Sequence, residues 1–252
     1  MSLSPIARVL FTIRERNVRS LLMGGQACIL YGAAEFSRDA DLAVFASRDN
    51  LENLNDALSS LAAEVVAVPP FEIEYLERGH AVHFRCRHPD LRGVRIDVMT
   101  RMRGVDPFPD LWERRTTFPL PEGLDVEAMS LPDLVASKKT QRDKDWPMIR
   151  RLVEANYEQF FNEPGEERVR FWLGELRTPE LLVECASRFA EAARRLAVER
   201  PAVAAALSGD EAETARRLEE EQAREMEADR AYWAPLRAEL EALRRERRRK
   251  SR

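Results

Sequence analysis

The chain has 252 residues, 44% of them apolar and 33% charged, with a formal net charge of −4. That is enough apolar material for one large domain or two modest ones, and too balanced a charge to grip nucleic acid through net charge alone. No apolar run approaches the ~20 residues that cross a bilayer, Met1 to Pro5 lacks the basic-then-apolar order of a signal peptide, and Cys28, Cys86 and Cys185 form no C-x-x-C pair; the expectation is a cytoplasmic protein with no membrane partner, disulfide or zinc site.

In chain order, Ser4 before Pro5 reads as the N-cap of a helix to Arg16, with Ile6, Val9, Leu10 and Ile13 on one face. Leu21-Leu22-Met23 reads as a short buried strand ending at Gly24-Gly25. Gln26 to Gly32 reads as a helix, with Cys28 a small core residue, and Leu42 to Phe45 as a second strand with Asp39 and Asp41 at its start. Asp49 or Asn50 is expected to cap a helix carrying Leu51, Leu54, Leu58 and Leu61. Glu64 to Val68 reads as a strand stopped by Pro69-Pro70, and Phe71 to Tyr75 alternates as a further strand. His80 to Cys86 and Gly93 to Met99 read as a hairpin joined through Arg87-His88-Pro89-Asp90. Arg114 to Phe118 and Leu124 to Met129 complete the strand candidates, and Ser130 opens a helix that carries Lys138 and Lys139. From Asp145 the pattern is helical, with breaks at Pro164-Gly165 and Ser208-Gly209 and a long Glu/Arg/Ala-rich helix past Asp210, interrupted at most once, near Pro235. The expected fold is α/β (α+β): a mixed sheet flanked by helices in residues 1–145, then a helical C-terminal domain, 146–252, ending in the long charged helix.

The chemistry concentrates in LLMGGQACILYGAAEFSRDADLAVF. Residues i and i+2 of a strand share a face roughly 7 Å apart, so Asp39 and Asp41 point the same way beside a glycine turn whose bare backbone lets a phosphate chain approach. Hard oxygen ligands of this kind suit Mg²⁺ held together with substrate phosphates. Downstream, Val94, Ile96 and Val98 alternate against Arg95, Asp97 and Met99, which puts a third carboxylate on the polar face of a half-buried strand. Each feature also has a plainer reading: D-x-D on a solvent-facing strand end, a glycine pair as a turn, Asp97 on a wet face, and Lys138 to Lys144 as a solvated helix face with Lys138 and Arg142 at i,i+4. His80, His83 and His88 have no second ligand at metal-binding spacing and read as structural or surface residues.

Gly24-Gly25, thirteen intervening residues, Asp39-x-Asp41, then Asp97 on a later strand and Lys138-Lys139-Thr140-Gln141-Arg142-Asp143-Lys144-Asp145 together resemble the signature of the nucleotidyltransferase superfamily with the polymerase-beta-like fold. The form GGQACILYG…SRDADL is most similar to the bacterial AbiEii-type and minimal nucleotidyltransferases, several of which are toxins of toxin–antitoxin pairs. The resemblance covers roughly residues 15–155. Where family members often carry an arginine in an R-x-T/S-x-D-x-D arrangement, this chain has Glu35-Phe36-Ser37-Arg38. The lysine segment is one residue shorter than the common form, which leaves both Lys138 and Lys139 as candidates.

The resemblance implies an enzyme that transfers NMP from an NTP to RNA (tRNA for instance), protein or a small molecule, with an antitoxin protein as a further partner. It implies two Mg²⁺ ions on Asp39, Asp41 and Asp97, with Asp97 also a general base. Gly24 and Gly25 would meet the β and γ phosphates, with Ser37 donating to a phosphate oxygen, Lys138 and Arg142 neutralising the triphosphate, and Asp145 holding Lys138 or Arg142 in place. The alternative is a catalytically inactive member of the same fold that binds nucleotide or a protein partner. The basic run Arg244 to Arg252 reads either as a surface that steers an RNA acceptor or as a solvated helix end.

Overall fold

A computed structural model describes residues 3–34, 36–91, 93–121 and 123–250. Glu35 and the last two residues of the basic run, Ser251 and Arg252, lie outside them. The chain forms two compact units, Met1–Ser137 with Tyr232–Arg252, and Lys138–Ala231; the sequence reading put one division at 145/146.

The first unit is built on a seven-stranded mixed sheet. Its elements are α1 (Pro5–Glu15), β1 (Ser20–Met23), α2 (Gly24–Leu30), β2 (Asp39–Val44), α3 (Arg48–Ser60), β3 (Ala63–Val65), α4 (Ile73–Arg78), β4 (Val82–Cys86), β5 (Arg95–Met99), α5 (Phe108–Glu113), β6 (Thr116–Pro119), β7 (Asp125–Ala128) and α6 (Leu131–Ser137). The strand order is β3-β4-β5-β2-β1-β7-β6. β2 runs antiparallel to β1 and parallel to β5, and β5 runs antiparallel to β4, which makes the expected hairpin. Alternation decides the burial: Ala40 and Leu42 of β2, Ile96 and Val98 of β5, and Val82 and Phe84 of β4 are buried, while the residues between them on β4 and β5 are not. Ser4 caps α1 through its side chain as expected, accepting from the Ala7 N–H at 3.1 Å.

Three local expectations are corrected. The cap of α3 is Ser47, whose hydroxyl accepts from the Asn50 N–H. Asn50 is instead buried: it accepts from the Arg19 N–H and donates to the Arg19 and Phe45 carbonyls, tying α3 to the chain on either side of the β1–β2 pair. Phe71 to Tyr75 is not a strand; α4 forms there and stops at Gly79, which takes the left-handed conformation at φ 101°. Five alternating residues fit either period, and the glycine stop favours the helix. The lysine-bearing helix ends at Ser137. Residues 138–144 form a turn held by Thr140, whose hydroxyl donates to Asp145 Oδ2 at 2.6 Å and whose carbonyl accepts from the Trp146 indole at 3.0 Å. Such side-chain bonds to nearby groups compete with helical ones.

The second unit is helical: α7 (Asp145–Phe160), α8 (Glu166–Glu175), α9 (Pro179–Arg188), α10 (Ala190–Leu196), α11 (Pro201–Leu207) and the first half of α12 (Glu211–Lys250) pack around Trp172, Ile149, Leu182 and Val203. α12 runs on through Pro235 without a break. From Tyr232 its residues belong to the first unit, where Glu239 lies 2.8 Å from both Arg78 and the fully buried His80. Among the described residues no helix is long and apolar enough to cross a membrane.

Candidate active site

Strand register brings the three predicted aspartates to one place. Asp41 of β2 stands directly opposite Asp97 of β5, and Asp39 opposite Arg95. Residues paired across a ladder share a face and lie ~5 Å apart at Cα, so the three side chains leave the sheet on one face. One strand further, His83 of β4 stands opposite Asp97, and Arg85 opposite Arg95. The polar face of the sheet therefore carries His83, Asp97 and Asp41 in one row, and Arg85, Arg95 and Asp39 in the next.

The glycine pair closes the site from β1. Gly24 has φ 64°, and a Cβ there would sit 1.9 Å from Asp41 Oδ2; a Cβ on Gly25 would sit 2.5 Å from the Ser37 hydroxyl. Each glycine is thus bare because a different polar side chain lies against its backbone. The Gly25 N–H points to Asp41 Oδ2 at 3.4 Å, a long contact. Ser37 is fixed from two sides: its carbonyl accepts from the Gln26 amide at 2.8 Å, and its hydroxyl lies 3.4 Å from the Asp39 carbonyl. Next to it, the exposed Phe36 ring lies under the Arg38 guanidinium at 5.4 Å.

Asp97 is only 16% exposed, and Arg95 and His83 stand beside it. Arg95 reaches Oδ1 at 3.2 Å and Oδ2 at 3.1 Å. His83 Nδ1 lies 2.8 Å from Oδ1, at ion-pair distance but without hydrogen-bond alignment. Arg95 and His83 are the neighbours that motif reading passed over. Their signal was the alternation itself, which places Arg95 on the face of Asp97 and puts His83 on the matching face of the hairpin partner.

The residue types fit a divalent cation: three hard-oxygen carboxylates on one face, beside a backbone stripped of Cβ atoms. Among the described residues no set of three or more His, Cys, Asp or Glu side chains is gathered to hold a metal ion, with Asp97 turned to Arg95.

Gly24, Gly25, Ser37, Asp39, Asp41 and Asp97 belong to the first unit, and Lys138, Arg142 and Asp145 to the second. Within the second unit, Asp145 pairs with Arg142, at 2.8 Å to Nε and 2.7 Å to Nη2. Lys139 is bound to Glu175 at 2.7 Å, while Lys138 is buried. A groove of about 540 Å³ in the second unit, lined by residues such as Val169, Arg170, Phe189 and Arg195, contains none of the predicted site residues. The basic end of α12 is exposed and partly offset by Glu241 and Glu246, which pair with Arg245 and Lys250.

No protein-family model matches the chain, and no curated protein matches it. Among solved structures, the chain is similar to the antibiotic-resistance factor ANT(2'')-Ia, known from its solution structure. The two are 14% identical over 81% of this chain and 94% of that one, with a TM-score of 0.35.

Proposed function

We propose that the chain is a Mg²⁺-dependent nucleotidyltransferase that moves NMP from an NTP to an acceptor hydroxyl. The observation that carries this reading is the register of Asp41 with Asp97, which puts carboxylates from two strands beside the bare Gly24-Gly25 backbone. Asp39, Asp41 and Asp97 would hold the cations. Bound there, a pair of Mg²⁺ ions supplies charge stabilisation to the attacking and leaving oxygens. The acceptor oxygen attacks the α-phosphorus, the bond to the α–β bridging oxygen breaks, and pyrophosphate leaves. Asp97 takes the proton of the attacking hydroxyl. Backbone N–H groups at Gly24 and Gly25 would meet the β and γ phosphates, and Ser37 donates to a phosphate oxygen. Lys138, Arg142 and Asp145 are the residues that the motif resemblance assigns to the triphosphate; within the second unit, Asp145 is paired with Arg142. The AbiEii-like motif order supports RNA such as tRNA, protein or a small molecule as acceptor, and a toxin role opposed by an antitoxin protein.

The pairing of Asp97 with Arg95 favours one second reading, a nucleotide-binding member that transfers nothing. Incubation with each α-labelled NTP, Mg²⁺ and bulk tRNA separates the two. Label transfer that disappears in Asp41→Asn and Asp97→Asn supports the transferase. Cation-dependent nucleotide binding with no transfer to tRNA, to the protein itself or to small-molecule alcohols leaves the second reading.

A further inference from the structure

Arg95 is a cation in direct contact with a carboxylate of the proposed chemistry. Across the sheet it faces Arg85 on one side and Asp39 on the other. The side chain runs along its own strand, where one terminal nitrogen meets both oxygens of Asp97. The contact covers the third carboxylate. A guanidinium and a divalent cation repel each other and compete for the same two oxygens, so Arg95 opposes the binding of a cation at Asp97 while it holds the carboxylate. The guanidinium itself matches carboxylate and phosphate equally well, since both offer two oxygens to its planar fork. Its side chain is 39% exposed against 16% for Asp97, which leaves the head free to swing on its stem while the carboxylate stays in place.

We propose that Arg95 is an exchangeable counter-ion. In the nucleotide-free protein it neutralises Asp97; when an NTP arrives with its cation, Arg95 moves to the triphosphate and releases Asp97. This rests on the nucleotidyltransferase reading and adds an order to it: metal and nucleotide bind cooperatively, because each removes what opposes the other. Linkage makes the effect reciprocal. No covalent bond changes in the exchange; one ion pair replaces another.

The test uses Mn²⁺, whose paramagnetism reports binding directly, and the four non-hydrolysable α,β-methylene NTPs, followed by calorimetry. In the wild-type protein, nucleotide is expected to tighten Mn²⁺ by at least about fivefold, the low end of usual coupling. Arg95→Gln should bind Mn²⁺ alone more tightly than wild type, bind the nucleotide–Mn²⁺ complex more weakly, and show coupling near one. Arg95→Lys keeps the charge without the fork and should recover part of the coupling; it also serves if the glutamine variant fails to fold. Unchanged Mn²⁺ affinity and unchanged coupling in a folded Arg95 variant overturn the proposal while leaving the transferase reading intact. A wild-type protein that binds none of the four nucleotides with Mn²⁺ overturns both.

Discussion

Gly24→Ala tests the site at its tightest point. Two costs are expected, and a second glycine separates them. Gly24 is left-handed, at φ 64°, and an added Cβ would lie 1.9, 2.4 and 2.7 Å from Oδ2, Cγ and Cβ of Asp41. Gly32 is also left-handed, at φ 75°, but a Cβ there meets nothing within 4 Å. Alanine at position 32 therefore carries only the conformational cost, ~1–2 kcal/mol. Alanine at position 24 carries the same cost plus the displacement of a side chain whose Cβ cannot rotate away, another ~1–3 kcal/mol by analogy with overpacked cores. For a protein of this size each kcal/mol is worth ~2–4 °C in melting temperature. Gly24→Ala should then melt roughly 4–20 °C below wild type, and clearly below Gly32→Ala. Thermal unfolding followed by circular dichroism measures both. Asp41→Ala should relieve part of the Gly24→Ala penalty in a double-mutant cycle, because it removes the two nearer atoms and leaves the Cβ. If Gly24→Ala is no less stable than Gly32→Ala, the glycine is not held bare by Asp41 and the geometry of the site is wrong.

Other expectations concern the frame. Asn50→Ala leaves the Arg19 N–H without its partner and removes one of two donors at each of the Arg19 and Phe45 carbonyls, and should cost ~1–3 kcal/mol in denaturant unfolding; a loss below ~0.5 kcal/mol, the size of an ordinary surface change, contradicts that role. Burial pushes the Cys185 thiol from 9.0 up to about 12. Between those pH values the folded chain keeps a proton that the unfolded chain releases, so stability falls as pH rises through that window and is unaffected below it. Melting curves from pH 8 to 11 should show a shallower alkaline loss in Cys185→Ala than in wild type, and equal slopes refute the assignment.

Much of the site was legible in one dimension. The order strand, glycine pair, D-x-D strand and hairpin is local, and alternation with period two assigns Asp39, Asp41 and Asp97 to polar faces without reference to anything distant. Turn chemistry was less legible. Phe71 to Tyr75 alternates over too few residues to separate a strand from a helix, and Thr140 with Asp145 ends the lysine-bearing helix through contacts that a periodic pattern does not encode. Asn50 lies within its helix, but reads as a cap until the Arg19 and Phe45 backbones arrive to use its amide.

What only the tertiary structure decided is register and pairing. The polar side of β5 is written in its own residues, but nothing in them says that β2 is its parallel neighbour, that Asp41 and not Asp39 stands opposite Asp97, or that His83 completes the row. Those relations come from packing strands far apart in the chain, where slipping by one residue would send every side chain to the other face. The grip of Arg95 on Asp97 joins the two levels: the spacing of the pair is local, and the placing of Arg95 between Arg85 and Asp39 exists only once the sheet is assembled.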